Sequence, residues 1–131
     1  MRKIIAAALL SATLLGCAAA PAEPPPPIQA PAKCFSKEQC DAMWSEALVQ
    51  LQALSGMKLQ VATDSFAQTF NANGPRRMTA SAQRVPAPNG GTIIGASFHC
   101  RYNCNNVNFA AVNLFGSKLK VVGARFGLPV E

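Results

Sequence analysis

Acidic side chains are scarce in this sequence. Six Asp and Glu stand against twelve Lys and Arg, with a single histidine. Those acids are Glu23, Glu38, Asp41, Glu46, Asp64 and Glu131. Three of them fall on one surface of a helical stretch, which is the usual pattern of a solvated face. Asp64-Ser65 reads as turn chemistry rather than as an acid beside a nucleophile. No pair of carboxylates in contrasting surroundings can be assembled, and no Ser–His–acid order beyond a coincidence of types. The chain is therefore read as non-enzymatic. Cys-x-x-Cys spacing is absent too: the sequence has Cys34-x5-Cys40 and Cys100-x3-Cys104, which disfavours a dithiol redox centre and fits structural zinc poorly. His99 adjoins Cys100, but on an alternating strand the two would point to opposite faces, so neither metal nor another cofactor is expected. The alternative is a small envelope enzyme or metal carrier that uses His99 and the cysteines. A spanning helix is missing as well. The apolar stretch Ile4–Leu15 has 12 residues, against about 20 for a bilayer crossing.

That short stretch has its own meaning. Arg2 and Lys3 precede it and Leu14-Leu15-Gly16-Cys17 ends it, matching the charge, core length and small-residue terminus of an export signal. The last four residues resemble the lipobox of bacterial lipoproteins, with an aliphatic residue three places before the cysteine and a small one just before it. The resemblance covers residues 1–17. It implies removal of residues 1–16, a diacylglyceryl group on the Cys17 thiol and acylation of the new amino terminus. Two or more chains make a lasting anchor, where one is marginal. An ordinary secretory signal cut near Ala18–Ala20, or a buried N-terminal helix, is the competing reading. Ala18, where inner-membrane lipoproteins usually carry Asp, implies the outer membrane, with the domain in the periplasm or at the cell surface. Processing lowers the formal charge from +6 to +4 by removing Arg2 and Lys3. Export excludes nucleic acid as a partner. The anionic partners that remain are phospholipid headgroups, lipopolysaccharide phosphates, acidic cell-wall groups and other envelope proteins.

Residues 18–33, AAAPAEPPPPIQAPAK, hold six prolines and one large apolar side chain, Ile28. Such a tract favours polyproline II. At about 3.1 Å per residue it would reach roughly 50 Å, so a Pro-rich spacer is expected over residues 17–33, with one small domain at 34–131. Ser36 with Gln39 three places on is a capping box, with Phe35 placed to staple onto Cys40. Cys40, Met43, Trp44, Ala47, Leu48, Leu51 and Leu54 then recur at helical spacing up to Gly56, which predicts a helix over Ser36–Ser55. After Gly56 the period becomes two, through Met57–Ala62, Phe66–Phe70, Met78–Gln83 and Ile94–Cys100, with turn-forming residues between. Val107, Ala110, Ala111, Leu114 and Phe115 return to helical spacing, with Asn105 or Asn106 as cap, Gly116 as stop and a short edge strand at Lys118–Val122. The expected fold is α+β: a two-layer sandwich with an antiparallel meander of three to four strands, covered by two helices. With a cysteine pair at each helix start and Trp44 in the first helix, residues 34–115 resemble small uncharacterised envelope lipoproteins of Gram-negative bacteria, a group that brings no activity with it.

With Cys17 lipidated, Cys34, Cys40, Cys100 and Cys104 remain, an even set for an oxidising compartment. They allow three connectivities. Loop entropy favours long-range bridges, about 4 kcal/mol against about 2 for local ones. Position favours local pairing, which would staple one helix start and clip a strand to the other helix. Charge is divided unevenly. Residues 36–55 carry Lys37 against Glu38, Asp41 and Glu46, a net of −2. Residues 56–131 carry Lys58, Arg76, Arg77, Arg84, Arg101, Lys118, Lys120 and Arg125 against Asp64 and Glu131, a net of +6. If Arg76, Arg77, Arg84 and Arg101 share an edge or face, they would bind an anionic surface. Equally, basic residues on strands guard sheet edges against pairing.

Overall fold

The computed structural model of the chain describes residues 19–129. Residues 1–18, on which the expected export signal and Cys17 fall, and the last two residues lie outside the described part. In chain order the elements are β1 (Ala32–Cys34), α1 (Lys37–Ser55), β2 (Leu59–Ala62), β3 (Phe66–Thr69), β4 (Met78–Pro86), β5 (Thr92–Cys100) and α2 (Val107–Ala124). The strands form one open antiparallel sheet in the order β1-β5-β4-β3-β2. The class is α+β, as the alternating and helical periods implied.

Period-two burial builds the layers. Met78, Ala80 and Ala82 on β4, Ala67 on β3, Ile94 and Phe98 on β5 and Ala32 on β1 are buried on one side of the sheet. Both helices cover that side. Met43, Trp44, Ala47 and Leu51 project from α1, and Ala111, Phe115 and Leu119 from α2, into the same core. Phe98 and Phe115 meet edge to face with centroids 6.2 Å apart. Burying each of the large side chains here is worth about 1.5–3 kcal/mol. The alanines of β4 leave room for α1 to lie close.

The capping box forms in shifted form, Gln39 reaching back to the residue before the cap rather than to Ser36, and Gln39 has an additional role. Its backbone N–H donates to Ser36 Oγ at 3.1 Å, and its Oε1 accepts from the Phe35 N–H at 2.7 Å. Its Nε2 reaches across to the Gly123 carbonyl at 3.1 Å, which also accepts from the Phe126 N–H, and so ties the start of α1 to the last turn of α2. Gly56 closes α1 at φ 69° and donates to the Gln52 carbonyl, the left-handed cap that glycine permits. Gly91 is fixed by crowding as well as φ, because a Cβ there would stand 2.7 Å from the Cys34 carbonyl oxygen.

Three expectations change. The helix from Val107 does not stop at Gly116, and Lys118–Val122 is helical rather than an edge strand. The apolar stripe Ala111, Phe115, Leu119 continues through the glycine at a spacing of four, and one interior glycine costs only about 1 kcal/mol. Asn106 stands at the cap position but in the left-handed region, with no side-chain cap bond. Finally, the sheet has five strands where three to four were expected, because it starts at Ala32, two residues ahead of the expected Cys34, with Ala32–Cys34 paired to Thr92–Ile94. Among the described residues no helix is long and apolar enough to cross a membrane.

Both cysteine pairs are local. Cys34–Cys40 and Cys100–Cys104 have Cα separations of 5.2 and 6.0 Å, within bridging range. Position decides over loop entropy here: each pair is brought together by the element boundary it sits on.

Candidate functional site

Antiparallel pairing sorts the chain into two ends. At one end α1 finishes, β4 starts, β5 finishes and α2 starts. Met78 pairs with Cys100, so Arg76 and Arg77, just before β4, lie beside Arg101, just after β5. The Phe70 N–H donates to the Lys58 carbonyl at 3.0 Å, which brings the start of β2 to the same end. Lys58, Arg76, Arg77 and Arg101 are all exposed. Arg77 donates from Nη1 to Asn73 Oδ1 at 2.7 Å. Its stem passes Gly56, where Cγ would lie 3.6 Å from an added Cβ. Its charge therefore complements the negative end of the α1 dipole, for α1 has no basic residue in its own last turn. Arg101 lies over the Tyr102 ring, 6.0 Å from its centroid. Apolar groups accompany the cations: Phe70, Tyr102 and Val107 are 49%, 57% and 54% exposed.

Arg84 does not join this cluster, which corrects the expectation that all four arginines share a face. It pairs with Ile94 near the far end of β4, on the helix-covered side. Six residues of strand separate it from Met78, or about 20 Å. Its guanidinium lies 5.5 Å from the Trp44 ring centroid and donates to Asp41 Oδ1 at 3.0 Å and to the Asp64 carbonyl. The period could have revealed this, since Arg84 has the parity of Ala80 and Ala82.

Around Arg84 is a cleft of about 800 Å³, lined by Cys34, Lys37, Cys40, Asp41, Trp44 and Arg84 among others. Trp44 Nε1 donates to the Thr63 carbonyl at 3.0 Å, tying α1 to the β2–β3 turn. Both Asp41 oxygens are taken, one by Lys37 and one by Arg84. The hydrogen bond from Lys37, followed by that from Arg84, holds the Asp41 carboxyl below its ordinary range. The Lys37 ammonium is raised in return, chiefly by its bond to Asp41. A carboxylate so engaged is a structural tie rather than a free base. Both ion pairs found among the described residues are at this end.

His99 pairs with Thr79 on the uncovered face of the sheet and is exposed, away from Cys100. The four cysteines are bonded in pairs. Among the described residues no group of three His, Cys, Asp or Glu has the arrangement of a metal site. His99 and the cysteines are therefore not brought together.

Sequence reasoning missed one feature at the basic end. The Pro-rich tract lies along α2 rather than standing off from the domain. Asn113 grips it with both amide atoms: Nδ2 donates to the Pro27 carbonyl at 2.9 Å, and Oδ1 accepts from the Gln29 N–H at 2.9 Å. One turn pair earlier, Asn106 Nδ2 donates to the Glu23 carbonyl at 3.0 Å. Asn106 thus spends its side chain on the tract instead of on the helix cap. The only sequence signal was two asparagines seven residues apart, on one side of a helix.

Compared with known proteins, the chain matches no family model, no curated sequence and no solved structure at a significant level.

Proposed function

We propose that this protein is a lipid-anchored envelope module, attached through Cys17, that binds an anionic envelope surface through Lys58, Arg76, Arg77 and Arg101 and catalyses no reaction. The observation that carries this reading is the gathering of those four cations at one end of the sandwich by strand register. Among the described residues Glu23 is the acid placed near them, through its carbonyl bond to Asn106. An enzyme or metal carrier built on His99 and the cysteines has less support, since His99 faces away from sulfurs that are already paired. Charge attraction of this kind is worth about 1 kcal/mol per cation near an anionic surface and fades with salt. The test is sedimentation of the chain from Ala18 onward with phosphatidylglycerol vesicles. Arg76→Ser with Arg77→Ser should weaken binding about tenfold or more at low salt and flatten its salt dependence. Unchanged binding rejects the reading.

A further inference from the structure

Where the Pro-rich tract is held determines which part of the domain the anchor can reach. Glu23 is tied to Asn106 at the start of α2, and Pro27 and Gln29 to Asn113 two turns later. From there the tract enters β1 at Ala32. Read backwards, it runs up α2 and leaves the domain at the basic end. Ala22, Glu23, Pro24 and Pro26 line a recess there with Asn106 and Val107. Only five residues lie between Cys17 and Glu23, so the chain can carry the lipid-bearing residue no farther than about 20 Å from that end. A free spacer from residue 17 to 33 would have allowed roughly 50 Å and any orientation. For scale, α1 with its 19 residues is about 28 Å long. The opposite end is thus farther away than the tether reaches.

We infer that Asn106 and Asn113 make the Pro-rich tract a strap that holds the basic end of the domain against the bilayer carrying its acyl chains, with Lys58, Arg76, Arg77 and Arg101 meeting anionic phospholipid headgroups. This rests on the lipid-anchor reading above and adds the partner and the orientation. The chemistry of the end fits a headgroup layer on two counts. Its cations match anionic lipid. Its exposed Tyr102, Phe70 and Val107 are amphipathic or apolar, and aromatic rings of that kind settle at headgroup depth. The opposite end mixes Glu38, Asp41 and Asp64 with Lys33, Lys37, Arg84 and Arg125, and its Lys37 and Arg84 are both committed to Asp41. A tether pulling that end to the membrane would bring a nearly balanced set of charges, three carboxylates among them, to an anionic surface.

The test uses the full acylated protein, extracted from membranes and reconstituted into vesicles of phosphatidylethanolamine and phosphatidylglycerol with a nitroxide on the headgroup. Trp44 is the chain's only tryptophan and reports from the opposite half of α1. A second form carries Tyr102→Trp with Trp44→Phe and reports from the basic end. The indole introduced at position 102 should lose about half its emission or more, and Trp44 much less, at physiological salt where the Debye length is about 8 Å. Asn113→Ala removes the strap's grip and places a better helix former on α2. It should leave the fold intact by circular dichroism while cutting the quenching at position 102 at least twofold. Equal quenching at both ends, or stronger quenching of Trp44, overturns the orientation. Full quenching retained in Asn113→Ala overturns the strap. An intact mass showing no lipid on Cys17 overturns the anchor itself, and is thereby told apart from a wrong orientation on a lipidated chain.

Discussion

The two ends of the sandwich hold arginines that look alike in sequence and do opposite things. Arg84 is turned inward, over Trp44 and onto Asp41 and the Asp64 carbonyl. Arg76, Arg77 and Arg101 are turned outward, with no acid on them among the described ion pairs. Each end also has one disulfide. The lesson is that position relative to the strands, not residue type, decides whether a cation ties the fold together or faces solvent.

The disulfides should separate the ends most. Cys34 is fully buried, whereas Cys100 and Cys104 are only half-buried. Cys34→Ala with Cys40→Ala should cost about 2–3 kcal/mol, from about 2 for loop closure plus lost core volume. In thermal unfolding, for a domain of this size, that is a fall of about 10 °C or more. Cys100→Ala with Cys104→Ala should cost about 2 kcal/mol or less. If the second pair proves the costlier, the basic end is the more tightly stapled of the two.

Arginine substitutions give a smaller contrast. Arg84→Ala removes the stacking on Trp44 and the tie to the β2–β3 turn. Its side chain is 19% exposed but Asp41 is 44% exposed, so screening reduces the ion pair's share. The expected loss in denaturant unfolding is about 1–2 kcal/mol. Arg76→Ala should stay within about 0.5 kcal/mol of the parent. Equal losses at the two positions would erase the distinction between a structural and an outward arginine.

Much of the fold was legible because local signals agreed with one another. Ser36, Gln39 and Gly56 bracket α1 as cap, capping-box partner and stop, and the 3.6-residue stripe fills the interval. The alternation in β4 and β5 was equally plain. What could not be read locally depends on partners far along the chain. Ala32–Cys34 is a strand only because Thr92–Ile94 lies beside it. The Lys118–Val122 segment fits both periods, since Leu119 points inward either way, and the continuing stripe from Ala111 and Phe115 decides for helix. The strap was hidden for a further reason. Composition says that a proline tract cannot build a core, but not that two asparagines eighty-odd residues away can hold its carbonyls. The basic cluster was half legible: its members were recognised, but Lys58 joined and Arg84 left once the register was known.

The membrane anchor, and the orientation that the strap would impose on it, presuppose lipid on residue 17. The most direct measurement is the intact mass of the protein taken from the membrane fraction of the cells that make it. The account predicts a chain beginning at Cys17 and heavier than its sequence by a diacylglyceryl group, with a further acyl chain on the amino terminus. A chain that keeps residues 1–16, or one that begins at Ala18 or beyond with no lipid, would contradict it.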